Sequence, residues 1–124
     1  MHETVAILGA SNDAGRYSHR AMLALAAHGH MAVLFNPAHD EIDGRECFHS
    51  LADYEGNIDT ITVYVRPSIL RGLLDEIINT RPKRVILNPG TEDDLTEQQL
   101  KTAGIKVQKD CTLVLLSSNQ FMVT

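Results

Sequence analysis

An apolar strand that runs straight into a glycine-bearing loop, a helix and a second strand constrains this chain more than any other feature: VAILGASNDAGRYSHRAMLALAAHGHMAVLFNP, residues 5–37. Thr4 to Leu8 shows no polar alternation, which marks a strand covered on both faces. The first helix is expected to start near Ser18 as its N-cap, to carry Ala21, Met22, Leu25 and Ala26 inward, and to stop at Gly29. Met31 to Phe35 is the second strand, ended by Asn36-Pro37. The same unit of apolar run, loop and helix then recurs to the end of the chain. EIDGRECF reads as a bend leading to a short edge strand, and Ser50 as the cap of a single helical turn. Thr60 to Val65 is strongly β-branched, and Pro67-Ser68 opens a helix with Ile69, Leu70, Leu73, Leu74, Ile77 and Ile78 facing inward. RVILNPG is a further strand with its loop. Thr96 with Gln99 fits a capping box for a helix closed by Gly104, and Ile105 to Gln108 is the last short strand.

Such alternation implies an α/β fold: a doubly wound, mostly parallel sheet with helices on both faces, because parallel neighbours need right-handed crossovers. At 124 residues and 44% hydrophobic content the chain is expected to form one domain over 1–124 around one core. A doubly wound sheet also locates its own site, beyond the carboxyl ends of the strands where the strand order reverses. The segments at those ends are GASNDAGRYS, NPAHD, RPS, NPGTE and DCT, and they hold glycines, prolines, asparagines and arginines. Glycine and proline also punctuate ordinary loops, so it is the convergence of several such loops on one edge that argues for a site.

A net charge of −5 without a basic run disfavours nucleic acid and anionic lipid as partners. No apolar run approaches the roughly eighteen residues of a membrane span, and the first residues lack a signal-peptide pattern, so the expected location is the cytoplasm. Cys47 and Cys111 are too few for a disulfide framework and are expected as reduced thiols. Six histidines show no i,i+4 helical pair, and His28-Gly29-His30 reads as a solvated pair at a helix end rather than a metal site.

The first loop is a G-x-S-x-x-A variant of the dinucleotide fingerprint. Gly9 permits a sharp turn, Ser11 stands where a second glycine usually lets a pyrophosphate approach, and Ala14 fills the third small position. Backbone amides, the Ser11 hydroxyl and the partial positive charge of the helix N-terminus could together hold phosphate, although such a loop also serves simply as a tight turn. Arg16 and Arg20 lie in the first helix, whereas Glu92, Asp93 and Asp94 guard the helix after NPGT; an anion therefore belongs at the first helix. The second strand ends in Phe35-Asn36-Pro37, without the carboxylate that normally takes the ribose of NAD.

GAS after the first strand, R-x-S entering the helix, NP after the second strand, then I-x-G, SLAD, ID, VYVRP, ILNPGTE, AGIKV and DCTLVLL, taken in order, resemble the small stand-alone CoA-binding proteins of bacteria. Those in turn are similar to the N-terminal CoA-binding domain of the succinyl-CoA synthetase alpha subunit. The resemblance covers nearly the whole chain and implies a Rossmann-type fold binding coenzyme A or an acyl-CoA. It would put the phosphates near Gly9, Ala10, Ser11 and Arg16, with Tyr17 and Ser18 beside them, and the nucleotide between the loops after the second and third long strands. Asn36, Pro37, Val65, Arg66, Pro67, Asn88, Pro89 and Gly90 are the other candidates, and Cys111 stands at the ligand edge after the last strand. The catalytic phosphohistidine of the synthetase lies in a further domain without a counterpart here, so no catalytic residue and no autonomous catalysis are expected. Two alternatives stay open: an NAD-type module or redox sensor, and a detached CoA-binding subunit of an acyl-CoA ligase. A homodimer or an unknown protein partner is compatible with either.

Overall fold

Val5 and Ile7 point to one side of their strand and Ala6 and Leu8 to the other, and the two pairs enter different cores. This is the period of two in an extended chain, and it makes the first strand the centre of a three-layer structure. The computed structural model describes residues 2–122. Among them, seven strands run as β1 (Thr4–Leu8), β2 (Met31–Phe35), β3 (Glu41–Ile42), β4 (Arg45–Phe48), β5 (Thr60–Val63), β6 (Arg84–Leu87) and β7 (Lys106–Lys109). They form one sheet in the order β3-β4-β2-β1-β5-β6-β7. All pairings are parallel except β3 with β4, a hairpin that closes one edge. The register sets Leu8 opposite Phe35 on one side and Val63 on the other, so the carboxyl ends of the three central strands are level.

Five helices cover the sheet: α1 (Tyr17–Ala27), α2 (Pro67–Arg71), α3 (Leu74–Thr80), α4 (Asp94–Thr102) and α5 (Thr112–Ser117). Met22 and Leu25 of α1 and Leu115 and Leu116 of α5 bury against Val5, Ile7, Leu34 and Ile86. On the opposite face Leu70, Leu74, Ile77 and Leu100, from α2, α3 and α4, pack on Ala6, Leu8, Phe35, Val63, Val85 and Leu87. Helices therefore lie on both faces, as the alternation of the sequence required, and the α/β doubly wound architecture is Rossmann-like.

Local details depart from the sequence expectations. Ser18 does not cap α1: Arg16 occupies the N-cap position without a side-chain cap, and Ser18 is buried within the first turn. The helix expected from Pro67 through Ile78 is two helices broken at Gly72-Leu73, which leaves Ile69 45% exposed. Thr96 is the capped residue rather than the cap, since Asp93 accepts both its N–H and its hydroxyl. Arg71 also donates to Asp93, and this guanidinium holds the carboxyl well below the usual carboxylate range. A terminal helix, α5, follows Cys111 where no element was expected. No helix among the described residues is long and apolar enough to cross a membrane.

His30 is not solvated. The residue is 8% exposed, its Nδ1 accepts the Glu3 N–H at 2.9 Å, and its ring packs on Phe121 with centroids 4.9 Å apart. Burial lowers its pKa, opposed by Glu3 and assisted by His28, His2 and Arg84. Because the folded-state value lies below the unfolded one, the unfolded chain takes up the proton first as pH falls. Stability is thus full above about pH 6.5 and declines below it. Urea melts between pH 7.5 and 5 should show this decline, and His30→Asn, weaker at neutral pH through lost ring packing, should show a flatter dependence.

Candidate functional site

The strand order reverses between β1 and β5, so the chain leaving β1 and the chain leaving β5 diverge and open a crevice at the carboxyl edge. Gly9 sits at its centre. Its φ is +95°, and a Cβ built there would lie 2.9 Å from Val65 Cγ1 and 3.2 Å from the Tyr64 carbonyl carbon. The N–H groups of Gly9 and Ala10 both donate to the Phe35 carbonyl, at 3.0 and 3.1 Å. Asn36 completes the joint: its Nδ2 donates to the Ala10 carbonyl at 2.7 Å, and its Oδ1 accepts the Ala38 N–H at 2.8 Å. The amides of Gly9 and Ala10 are accordingly structural, and donors to a ligand must come from further along the loop.

Three adjoining cavities follow this edge. A slot of about 370 Å³ lies between the β2 and β4 ends and α2–α3, with Leu8, Phe35, Pro37, Leu51, Val65, Ile69 and Leu73 giving it an apolar lining and Asn36, His49, Ser50 and Glu76 the polar points. Gly9 joins it to a second cavity of about 380 Å³ at the start of α1, lined by Gly15, Arg16, Tyr17, Ser18, Tyr64, Pro89 and Thr91. Tyr17, Tyr64 and Pro89 then lead to a third, of about 410 Å³, which Asn88, Cys111, Leu113 and Val114 complete. The middle cavity brings Arg16 to the N-terminus of α1, with Asp13 just ahead of it accepting the Gly15 N–H at 2.9 Å. The N-terminus of α1 has no side-chain cap and no acidic residue in its first turn, and Arg16 is exposed there with only a long 3.8 Å contact to Asp13. By contrast the N-terminus of α4 is filled by Asp93. Tyr17 stands 65% exposed at the lip, under the Arg20 guanidinium, which is 5.4 Å from the ring centre.

The expected site residues fall into groups. Gly9, Asn36, Pro37 and Val65 meet at the slot, while Arg16, Tyr17, Ser18 and Pro89 meet in the middle cavity. Asn88 is a buried staple: its Nδ2 donates to Thr62 Oγ1 and the Val63 carbonyl, and its Oδ1 accepts the Thr112 N–H, tying β6 to β5 and α5. Gly90, at φ +93°, turns the following loop, and its N–H is taken by Glu92. The Ser11 hydroxyl accepts the Asp13 N–H at 3.0 Å, bracing the loop. Arg66 is exposed at the N-cap of α2 and Pro67 opens that helix; neither is among the residues lining the three cavities. Cys111 caps α5 half-buried at the far cavity, whereas Cys47 is buried, its thiol turned to the Asn36 carbonyl at 3.8 Å.

Sequence reasoning missed Tyr64, His49 and Glu76. Tyr64 lies inside the β-branched run Thr60 to Val65, which reads only as a strand, yet it walls two cavities. Its hydroxyl lies beside Thr62 and Thr112 without a hydrogen bond of good geometry to either, and burial pushes its pKa up to about 12. His49 faces the slot from a loop whose path the sequence did not fix, hydrogen-bonded to Asp40 at 2.6 Å. Glu76 lies between Leu74 and Ile77, the buried positions of α3, and carried no sequence signal of its own. Among the described residues no group of three His, Cys, Asp or Glu side chains is arranged to hold a metal.

The family model described as "CoA binding domain" matches residues 3–117. The chain is 29% identical over 106 residues to the uncharacterized protein YneT of Bacillus subtilis, covering 86% of this chain and 78% of that one. It is 32% identical over 117 residues to the ADP-forming acetate–CoA ligase of Methanocaldococcus jannaschii, covering 94% of this chain but 17% of the ligase. Among solved structures, the crystal structure of an uncharacterized protein superposes with a TM-score of 0.91 at 35% identity, covering 98% of this chain and 99% of that one.

Gly9→Ala tests the joint. A non-glycine residue at positive φ costs roughly 1–2 kcal/mol, and the contact with Val65 and the Tyr64 backbone adds to it. Denaturant melts should show a loss of about 2 kcal/mol or more, where Gly44→Ala, which meets nothing within 4 Å, should lose only the conformational part.

Proposed function

The chain belongs to the CoA-binding domain family, and from that premise we propose that it binds coenzyme A or an acyl-CoA along the crevice at the carboxyl ends of its strands. The observation that carries this reading is the ordered change in the crevice's chemistry. An apolar slot suits a nucleobase, an open helix N-terminus with Arg16 suits phosphate, and a largely apolar far cavity ending at Cys111 suits the pantetheine arm. A long ligand with a flat base, a charged middle and a thiol-bearing tail matches that order. In this reading the chain itself supplies binding and orientation, and we assign it no catalysis of its own. The absence of a carboxylate at the end of β2, where Asn36 is tied to Ala10, disfavours NAD. Because the matching stretch is a minor part of the archaeal ligase, a partner chain carrying the remaining domains is the second reading, and a copurifying ATP-binding protein would favour it.

Calorimetric titration at fixed salt tests the ligand. CoA should bind about tenfold or more tightly than dephospho-CoA if a charge-assisted pair holds its 3′-phosphate, and NAD should be weakest. Arg16→Ala should weaken CoA by about tenfold; NAD binding as tightly as CoA would overturn the reading. The direction of the arm is tested by thiol exchange. Oxidised CoA should leave one mixed disulfide on the protein by intact mass, absent in Cys111→Ser and kept in Cys47→Ser, since exchange requires access to the sulfur. An adduct on Cys47 alone would reverse the direction.

A further inference from the structure

Glu76 is an unexplained group at the end of the apolar slot. It is the third residue of α3, and it lines both the slot and an adjoining cavity of about 260 Å³ bounded by Leu51, Ala52, Tyr54, Gly56, Ile58, Asn79 and Thr80. Its Oε1 is buried without a hydrogen-bond partner, and among the described residues its carboxylate makes no ion pair. Burying a carboxylate oxygen with no donor is unfavourable unless a ligand supplies one. The position along the crevice is informative. Gly9 marks the end of the slot that joins the phosphate-favouring cavity, and Glu76 marks the end that joins the cavity beyond. Between them Phe35, Pro37, Val65, Ile69 and Leu73 present carbon surfaces; of the slot's polar groups Asn36 and His49 already bond within the protein, whereas the buried Glu76 Oε1 has no partner and is an acceptor left for a flat apolar body.

We propose that Glu76 selects the base of the bound nucleotide by accepting a hydrogen bond from an exocyclic amine, which makes the site specific for an adenine-bearing ligand over one with a carbonyl at the same position. The inference rests on the CoA reading above and adds a specificity determinant to it. Adenine presents an N6–H donor where hypoxanthine presents an oxygen acceptor. A carboxylate facing that oxygen would meet acceptor with acceptor, and sites built around one hydrogen bond reject the analogue that cannot make it. The amide of a glutamine would serve either base, since it both donates and accepts.

The test compares CoA with its hypoxanthine counterpart, deamino-CoA, and with 2′-deoxy-CoA by calorimetry. The wild-type protein should prefer CoA over deamino-CoA by about tenfold or more, a comparison that needs no variant. Glu76→Gln, nearly isosteric, should bring that preference below about threefold while leaving the penalty for dephospho-CoA unchanged. Glu76→Asp, which keeps the charge but shortens the reach, should fold and lose part of the preference. Equal wild-type affinity for CoA and deamino-CoA, or a preference that survives Glu76→Gln, would overturn the proposal while the CoA reading stands. So would a loss in Glu76→Gln of discrimination against 2′-deoxy-CoA alone, which would make Glu76 a ribose contact. Failure of the wild-type protein to bind CoA would overturn both.

Discussion

At Gly9 the backbone of one strand end is held by its neighbours on both sides. Its N–H and that of Ala10 terminate on the Phe35 carbonyl of β2, and the space where a side chain would stand is filled by Val65 and the Tyr64 backbone beyond β5. Asn36 closes the same joint from the β2 side. The walls of the slot and of the middle cavity both begin here, so the crevice's shape depends on a close approach that a Cβ would prevent. The glycine thus has a structural role: it sets how near the two diverging chains lie.

Charge is distributed against the grain of the whole molecule. The net charge is −5, yet the crevice meets the one long helix whose N-terminus lacks an acidic cap, with Arg16 and Arg20 on its first turns. The competing N-terminus at α4 is occupied by Asp93, itself held by Arg71 and Thr96. Two helix ends of similar intrinsic polarity differ in where their carboxylate sits: Asp93 occupies the N-cap of α4 and accepts the Thr96 N–H inside its first turn, whereas Asp13 accepts the Gly15 N–H ahead of α1 and leaves the first turn itself without an acidic residue. Net charge describes how the molecule as a whole repels polyanions, while an oriented helix end acts within a few ångströms.

The alternation of strands and helices was legible because apolar residues repeat every two positions in one and every three to four in the other, and both periods survive in a short chain. Errors came where local pattern and packing disagreed. From Pro67 to Ile78 the apolar spacing suits one helix, but at Gly72 and Leu73 the N–H groups tighten to bonds three residues back, on Ile69 and Leu70, which splits the helix, and Ile69 lines the slot instead of the core. Thr96 and Gln99 satisfied a capping-box pattern, yet Asp93 competes better because a carboxylate accepts two bonds at once. His30 was misread for a related reason: its polarity suggested solvent, and only the turn from α1 into β2 brings it under the Glu3 amide and against Phe121.

Sequence alone determined that this chain builds a doubly wound sheet, and hence which edge is the candidate for a ligand, the strand ends holding Gly9, Asn36, Val65, Asn88 and Cys111, since both follow from periodicity and crossover handedness. What only tertiary structure decided is the role each of these plays. Whether Asn88 faces a ligand or ties Thr62, Val63 and Thr112 together, and whether Glu76 faces solvent or a slot, depends on which segments distant in sequence come within hydrogen-bond reach. A hydrogen bond is decided over tenths of an ångström between residues tens of positions apart, and no local pattern carries that information.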